Sequence, residues 1–110
     1  MNDTKFWEIV EKCGWSKSTD YKAIRKMLEE TYSNRELCEF RDMLHIKYNK
    51  LYKTLDKVVT NLGDDSFDDL LYHIIGLGRE EYDKVMKTTA FGVERAKAYN
   101  FVESFVYACR

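Results

Sequence analysis

Residues 33–62 of the chain, SNRELCEFRDMLHIKYNKLYKTLDKVVTNL, decide the fold. The stretch opens with Ser33 and Glu36 at the spacing of a capping box, in which each side chain accepts a hydrogen bond from a backbone N–H at a helix start. Apolar side chains then recur every three or four residues, which places them on one side of a helix. They are Leu37, Phe40, Leu44, Tyr48, Leu51, Leu55, Val58 and Leu62. The pattern predicts one long helix from Ser33 to Leu62, ended by Gly63.

The predicted helix would be about 44 Å long, which is more than a domain of this size needs and allows a bend or break. Capping residues, glycines and apolar spacing predict shorter helices on either side of it. They run from about Thr4, as N-cap, to Cys13, from Ser18, Thr19 or Asp20, as N-cap, to Thr31, from Asp64 to Ile75, from Arg79 to Lys87 and from Val93 to Cys109. We therefore predict an all-α fold: a single compact bundle of five or six helices around one long central helix, with residues 1–110 as one domain.

The composition is that of a globular helical protein. Apolar residues make up 45% of the 110 residues and charged residues 34%, which excludes a disordered chain. There is no proline and there are only five glycines, so the turns of an all-β domain are not indicated. The 18 basic and 19 acidic residues nearly cancel, so no global field attracts nucleic acid or anionic lipid.

The cysteines and the apolar runs indicate a cytoplasmic protein. Cys13, Cys38 and Cys109 are three, an odd number, and residues 1–5 do not resemble the start of a signal peptide. We expect three free thiols. Since no run approaches the roughly 18 apolar residues of a membrane span, no membrane association is expected.

Several short motifs occur in an order that resembles a known bacterial family. They are Phe6-Trp7-Glu8-Ile9-Val10-Glu11, the segment Leu37 to Phe40, Gly63-Asp64-Asp65-Ser66-Phe67, Ile74-Ile75, Gly78-Arg79, Tyr82 and Glu103-Ser104-Phe105-Val106-Tyr107. In this order they resemble the bacterial proteins grouped as domain of unknown function 4240, and the likeness covers most of the chain. Leu71, His73 and Leu77 stand where family members tend to have Arg, Trp and Gln. The resemblance implies a fold and no particular activity.

Four carboxylates fall within six residues at the start of the predicted fourth helix: Asp64, Asp65, Asp68 and Asp69. Such oxygens suit a divalent cation, but the spacing lacks the alternating ligands and distal Glu of a calcium loop. Acidic residues at a helix start are also stabilised by free backbone N–H groups and the helix dipole. Helix capping is therefore the preferred interpretation, with a metal or ligand site as the alternative.

His73 and Arg79 extend this alternative to an enzyme or a small-ligand domain. His73 follows Asp69 by four residues, so the two can pair on one helix face, and the carboxylate would favour the charged imidazolium. Arg79 ends a Gly76-Leu77-Gly78-Arg79 stretch that follows a helix, whereas a phosphate loop precedes one. We expect Arg79 to anchor its turn, with Asp64 or Asp65 as the partner.

The predicted long helix has a second face that includes Lys50, Lys53 and Lys57 together with the apolar residues Met43 and Ile46. The lysines are typical of a solvated surface, but the apolar pair indicates that the first helix or another chain covers part of it. Met43, Ile46 and Lys50 are the candidate contact face. Nucleic-acid binding through the four lysines Lys47, Lys50, Lys53 and Lys57 is a weaker alternative.

Catalytic and metal-binding motifs are not apparent. Cys13, Cys38, His45 and His73 lack the short spacing of zinc ligands. The prediction is therefore a non-catalytic protein-binding or regulatory module that needs no cofactor and does not bind nucleic acid, and self-association is compatible with it. The alternative is an enzyme or a ligand- or metal-binding domain that uses the acidic stretch with His73 and Arg79.

Overall fold

The computed structural model describes residues 1–98 and 104–109. Within these ranges the chain forms seven helices and no strand, which confirms the all-α prediction and exceeds the predicted number of helices by one. The helices are α1 (Asp3–Cys13), α2 (Tyr21–Thr31), α3 (Asn34–Leu55), α4 (Asp64–Gly76), α5 (Arg79–Lys87), α6 (Thr89–Ala98) and α7 (Phe105–Cys109). None of these helices has the length and apolar character needed to cross a membrane.

Side-chain caps are found at the starts of α1, α2 and α3. The capping box at α3 is confirmed: the Glu36 N–H donates to the Ser33 hydroxyl, and the Ser33 N–H donates to the Glu36 carboxylate, both at 3.1 Å. Of the three candidate caps for α2, the structure uses Asp20, which accepts from the Ala23 N–H. At α1 the cap is Asn2, which accepts from the Lys5 N–H at 2.8 Å, and not Thr4 as predicted. The side-chain amide oxygen of Asn2, two residues earlier, thus replaces the predicted hydroxyl.

The central helix α3 ends at Leu55, seven residues before the predicted end at Leu62. The N–H groups of Val58 and Val59 both donate to the Leu55 carbonyl, which turns the chain out of the helix. Val58 is therefore 42% exposed, whereas Val59 is buried. A helix of 22 residues spans about 33 Å, which already approaches the 38 Å length of the molecule. Gly63 does not end α3; it is the N-cap of α4.

The predicted last helix, Val93 to Cys109, is not one helix. Helix α6 begins at Thr89, four residues earlier than predicted, and Ser104 precedes a separate helix, α7. Residues 99–103 of the predicted helix lie outside the described residues. Helix α7 packs against α2 and α4, and the Cys109 carbonyl at its end accepts a hydrogen bond from Arg41 Nε of α3 at 2.6 Å.

Buried side chains from all seven described helices join in one hydrophobic cluster. Phe6 of α1 stacks on Phe40 of α3 with ring centroids 5.1 Å apart. Trp15, in the turn after α1, lies against Phe105 and against Gly76 at the end of α4. A Cβ atom at position 76 would lie 2.7 Å from the indole ring, so this contact requires glycine. The contact fixes the Trp15 ring beside α4.

Candidate functional site

A groove of about 470 Å³ lies between the end of α3 and the start of α4. Three carboxylates and three aromatic rings line it: Asp56, Asp64, Asp68, Tyr48, Tyr52 and Phe67. We call this the acidic groove. Its residues come from one face of each helix, because 48, 52 and 56 on α3 and 64 and 68 on α4 are each four residues apart.

A second groove of about 600 Å³ lies between α4 and α7, and we call it the α4–α7 groove. Asp65, Asp68, Asp69 and Tyr72 line its α4 side, and Val106 and Tyr107 line its α7 side. Asp68 borders both grooves. All four carboxylates of the acidic stretch therefore line one groove or both, and no lysine or arginine is found among the described residues that line them.

Aromatic rings connect α3 to α4 beside these carboxylates. The Tyr48 and Tyr72 rings stack with centroids 4.8 Å apart and planes inclined by 14°. The Tyr52 ring meets the Phe67 ring edge to face at 5.5 Å. His45 lies nearly parallel to Tyr48 at 6.2 Å. The grooves thus combine negative charge with aromatic surface.

Asp68 is held in place by Tyr48. The Tyr48 hydroxyl donates a short hydrogen bond to an oxygen of the Asp68 carboxylate. Burial, together with this hydrogen bond and the charge of Asp68, raises the pKa of the Tyr48 hydroxyl well above its usual value. Tyr48 therefore stays protonated and acts as a hydrogen-bond donor, and Asp68 stays an acceptor between the two grooves.

The carboxylates of Asp56, Asp64 and Asp65 lie at helix ends. Asp64 and Asp65 occupy the first turn of α4, where the helix dipole stabilises them, but the cap is Gly63, which has no side chain to donate or accept. Asp56 is the C-cap of α3, where the dipole disfavours a negative charge. Within the described part of the chain, the carboxylates of Asp56 and Asp64 make no hydrogen bond or ion pair.

His73 has a different role from the one predicted. The Trp15 indole N–H donates to Nδ1 of His73 at 2.9 Å, so the imidazole proton is assigned to Nε2. Burial lowers the pKa of His73, the positive charge of Arg95 lowers it further, and Glu81 opposes both. The prediction that a carboxylate would favour the charged imidazolium is wrong, because desolvation and Arg95 outweigh it.

Arg79 lies away from the acidic stretch. It begins α5, beyond the far end of the 13-residue helix α4, which is about 20 Å long. Its guanidinium pairs with Asp83 at 3.6 Å, so the predicted anchor to Asp64 or Asp65 is wrong. Arg79 lines a separate groove of about 660 Å³ against α1, together with Lys5, Lys12, Glu8 and Glu11.

The second face of α3 contains both buried and exposed side chains. Lys47 is buried, with 6% of its surface exposed, whereas Lys50 is exposed. Met43 packs partly against the core, but Ile46 is 48% exposed, so cover of Ile46 by the first helix is wrong. Cover by another chain stays a prediction.

Metal-ligand chemistry finds no support in the geometry. In the described ranges, no group of three or more His, Cys, Asp or Glu side chains is arranged to hold a metal ion. Cys13, Cys38 and Cys109 are free thiols, of which Cys13 and Cys109 are buried and Cys38 is exposed.

Comparison with known proteins places the chain in a family. The model of the family described as protein of unknown function (DUF4240) matches residues 1–109. The chain belongs to the DUF4240 family. No curated protein and no solved structure matches it. Membership in DUF4240 names no activity, so function has to be argued from the grooves.

Two of the motifs that carry the resemblance to DUF4240 lie at the two ends of α4. The Gly63 to Phe67 motif supplies Asp64 and Phe67 to the acidic groove, and the Gly78-Arg79 motif borders the groove against α1. Sequence reasoning missed Tyr52, Asp56 and Tyr72. A signal was available, since Tyr48, Tyr52 and Asp56, and likewise Asp64, Asp68 and Tyr72, follow one another at intervals of four residues.

Proposed function

We propose that this protein is a non-catalytic protein-binding module that holds a basic segment of a partner in the acidic groove and the adjoining α4–α7 groove. The observation that supports this is the combination of carboxylates and aromatic rings, with no lysine or arginine among the described residues that line the grooves. The proposal keeps the function predicted from the sequence and assigns it to the acidic stretch, which the sequence indicated only as a cap or as the site of an alternative function.

Charge supports a cationic partner. Five carboxylates line the two grooves: Asp56, Asp64, Asp65, Asp68 and Asp69. The whole chain has a formal net charge of only −1, so this negative charge is local and not a property of the entire surface. A local patch of one sign attracts a segment of the opposite sign and fixes how it docks.

The aromatic rings add affinity for the same partner. Tyr52 is 40% exposed and stands one helical turn from Asp56. A cation over an exposed aromatic face gains about 0.5–1 kcal/mol, and aromatic residues are enriched at protein interfaces. The stem of a lysine or arginine would pack on the ring while its charged end reaches the carboxylates.

Arg79, which the enzyme alternative needs, lies apart from the carboxylates. The carboxylates line the grooves, whereas Arg79 pairs with Asp83 beyond the far end of α4. Acid–base catalysis requires its groups within hydrogen-bonding reach of one substrate atom. This separation supports binding over catalysis.

Binding of labelled peptides tests the proposal. Fluorescence anisotropy would compare a short peptide of alternating basic residues and glycine with a peptide that has glutamine in place of the basic residues. We expect binding of the basic peptide that weakens as ionic strength rises. The double variant Asp56→Asn/Asp64→Asn should weaken it roughly tenfold. Asp42→Asn, an exposed carboxylate of α3 outside both grooves, is the matched control.

Two results would contradict the proposal. One is that the basic peptide binds no more tightly than the glutamine peptide. The other is that the double variant and the Asp42→Asn control bind the basic peptide as the unmodified protein does. Addition of calcium or magnesium should leave the melting temperature unchanged, and a clear rise would favour the metal-binding alternative instead.

A further inference from the structure

We propose that the acidic groove selects arginine over lysine, and that Tyr52 with Asp56 and Asp64 forms the subsite that receives the guanidinium group. This inference rests on the proposed function, which by itself asks only for a basic segment. It names the side chain that is recognised and the residue that determines specificity.

The Tyr52 ring is positioned to support a flat cation. Its contact with Phe67 is edge to face, with ring planes inclined by 67°, and this fixes its orientation on α3. Phe67 is itself buried and serves as the rigid support, whereas Tyr52 remains 40% exposed. A guanidinium is planar and weakly hydrated, so it stacks on such a ring at lower cost than an ammonium group does.

Two carboxylates are available beside that ring. Asp56, the C-cap of α3, lies one helical turn beyond Tyr52 on the same side, and Asp64, the first residue of α4, lines the same groove. Among the described residues neither carboxylate makes a hydrogen bond or ion pair, whereas Asp68 accepts from the Tyr48 hydroxyl. The five N–H donors of a guanidinium form a fork that can serve two carboxylates while the plane stays stacked. An ammonium group has no such plane.

The negative charge at the end of α3 also favours a bound cation. Asp56 adds a negative charge at the C-terminus of a helix of 22 residues, where the helix dipole is already negative. The described residues that line the groove include no lysine or arginine that would neutralise it. A bound guanidinium would supply a positive charge beside Asp56 at the negative end of α3.

Two peptides that differ only in the cation test this inference. Three arginines alternating with glycine would be compared with three lysines alternating with glycine, at the same ionic strength and with the same label. We expect the arginine peptide to bind roughly three- to tenfold more tightly. The variant Tyr52→Leu should remove this preference, because leucine keeps apolar bulk but has no ring face. Tyr52→Phe keeps the ring face and should keep the preference.

The outcomes separate this inference from the proposed function. Equal binding of both peptides to the unmodified protein would overturn arginine selectivity and leave a basic-segment module standing. Failure of both peptides to exceed the glutamine peptide would overturn the proposed function and the inference together. A preference that survives in Tyr52→Leu, with the fold of the variant verified by circular dichroism, would overturn the assignment to Tyr52. Comparison of the two peptides on the unmodified protein does not depend on any variant folding.

Discussion

The Nζ atom of Lys47 lies 3.1 Å from a carboxylate oxygen of Asp3 and joins the centre of α3 to the start of α1. The same atom lies 5.8 Å from the centre of the Trp7 ring and 5.6 Å from that of Tyr82. The lysine stem is therefore buried among aromatic side chains, and its charge pairs with the exposed carboxylate of Asp3. Lys47 belongs to the packing of the bundle, so the nucleic-acid alternative loses one of its four lysines.

Truncation of Lys47 should destabilise the fold. We expect Lys47→Ala to lower the free energy of unfolding by about 1–3 kcal/mol, mostly through lost packing of the stem on the two rings. Lys47→Met keeps an apolar stem and should cost less. Lys50→Ala, on the same helix but exposed, is the control and should change stability little. Urea denaturation measures all three, and equal midpoints for Lys47→Ala and Lys50→Ala would contradict the prediction.

The lowered pKa of His73 should make the free energy of unfolding decrease in mild acid. Burial and the charge of Arg95 lower the pKa of His73 below its ordinary 6.5, so the folded state keeps the imidazole neutral where the unfolded state protonates it. The unfolded state then binds more protons, and the free energy of unfolding decreases as the pH falls through about 6.5 toward the lowered folded pKa. Above that range the contribution of His73 does not change with pH.

Glutamine substitutions isolate this effect from other titrating groups. In His73→Gln the pH dependence between about pH 7.5 and 5.5 should be flatter than in the unmodified protein, since glutamine does not titrate. His45→Gln removes an exposed histidine and is the matched control. The measurement is the urea midpoint of each protein across that range. An unchanged slope in His73→Gln would mean that His73 titrates alike in both states.

The three thiols should differ in reactivity. Burial raises the pKa of Cys13 to about 12 and that of Cys109 well above its usual 9.0, so neither forms thiolate readily. Cys38 is exposed. Because the thiolate is the nucleophile, iodoacetamide should add rapidly once to the folded protein and twice more after denaturation. Intact mass spectrometry without reductant follows the additions. Loss of the rapid addition in Cys38→Ser is expected, and a stoichiometric disulfide would contradict three free thiols.

Two carboxylates of the acidic groove should affect stability in opposite directions. Asp56→Asn removes a negative charge from the C-terminus of α3 and should raise the free energy of unfolding by about 0.3–1 kcal/mol. Asp64→Asn removes one from the first turn of α4 and should lower it by a similar amount. Thermal and urea denaturation of the two variants would measure the difference. Shifts of the same sign would show that the helix dipoles do not control these sites.

Local signals in the sequence predicted the elements well where a cap and an apolar period agreed. The capping box at Ser33 and Glu36, Asp20 among the candidate caps of α2 and the span of α5 from Arg79 to Lys87 are confirmed. The predicted end of α3 was wrong because Val58 and Leu62 continue the apolar spacing after the helix has ended. Apolar spacing shows only that apolar side chains recur at regular intervals. The turn after α3 buries Val59, which fits nearly the same spacing, so the spacing does not mark where the helix ends.

The sequence alone determined the helix class, the acidic stretch and the family, since each depends on residues that are close in the chain or occur in a fixed order. Only the tertiary structure decided which charges are buried and which are left without a cation. Lys47 and Lys50 lie three residues apart on one helix, yet the first is enclosed by α1 and α5 and the second is exposed. Asp56 and Asp64 line one groove because the chain turns between α3 and α4. Burial and charge pairing depend on contacts between distant segments, and the packing of the bundle sets those contacts.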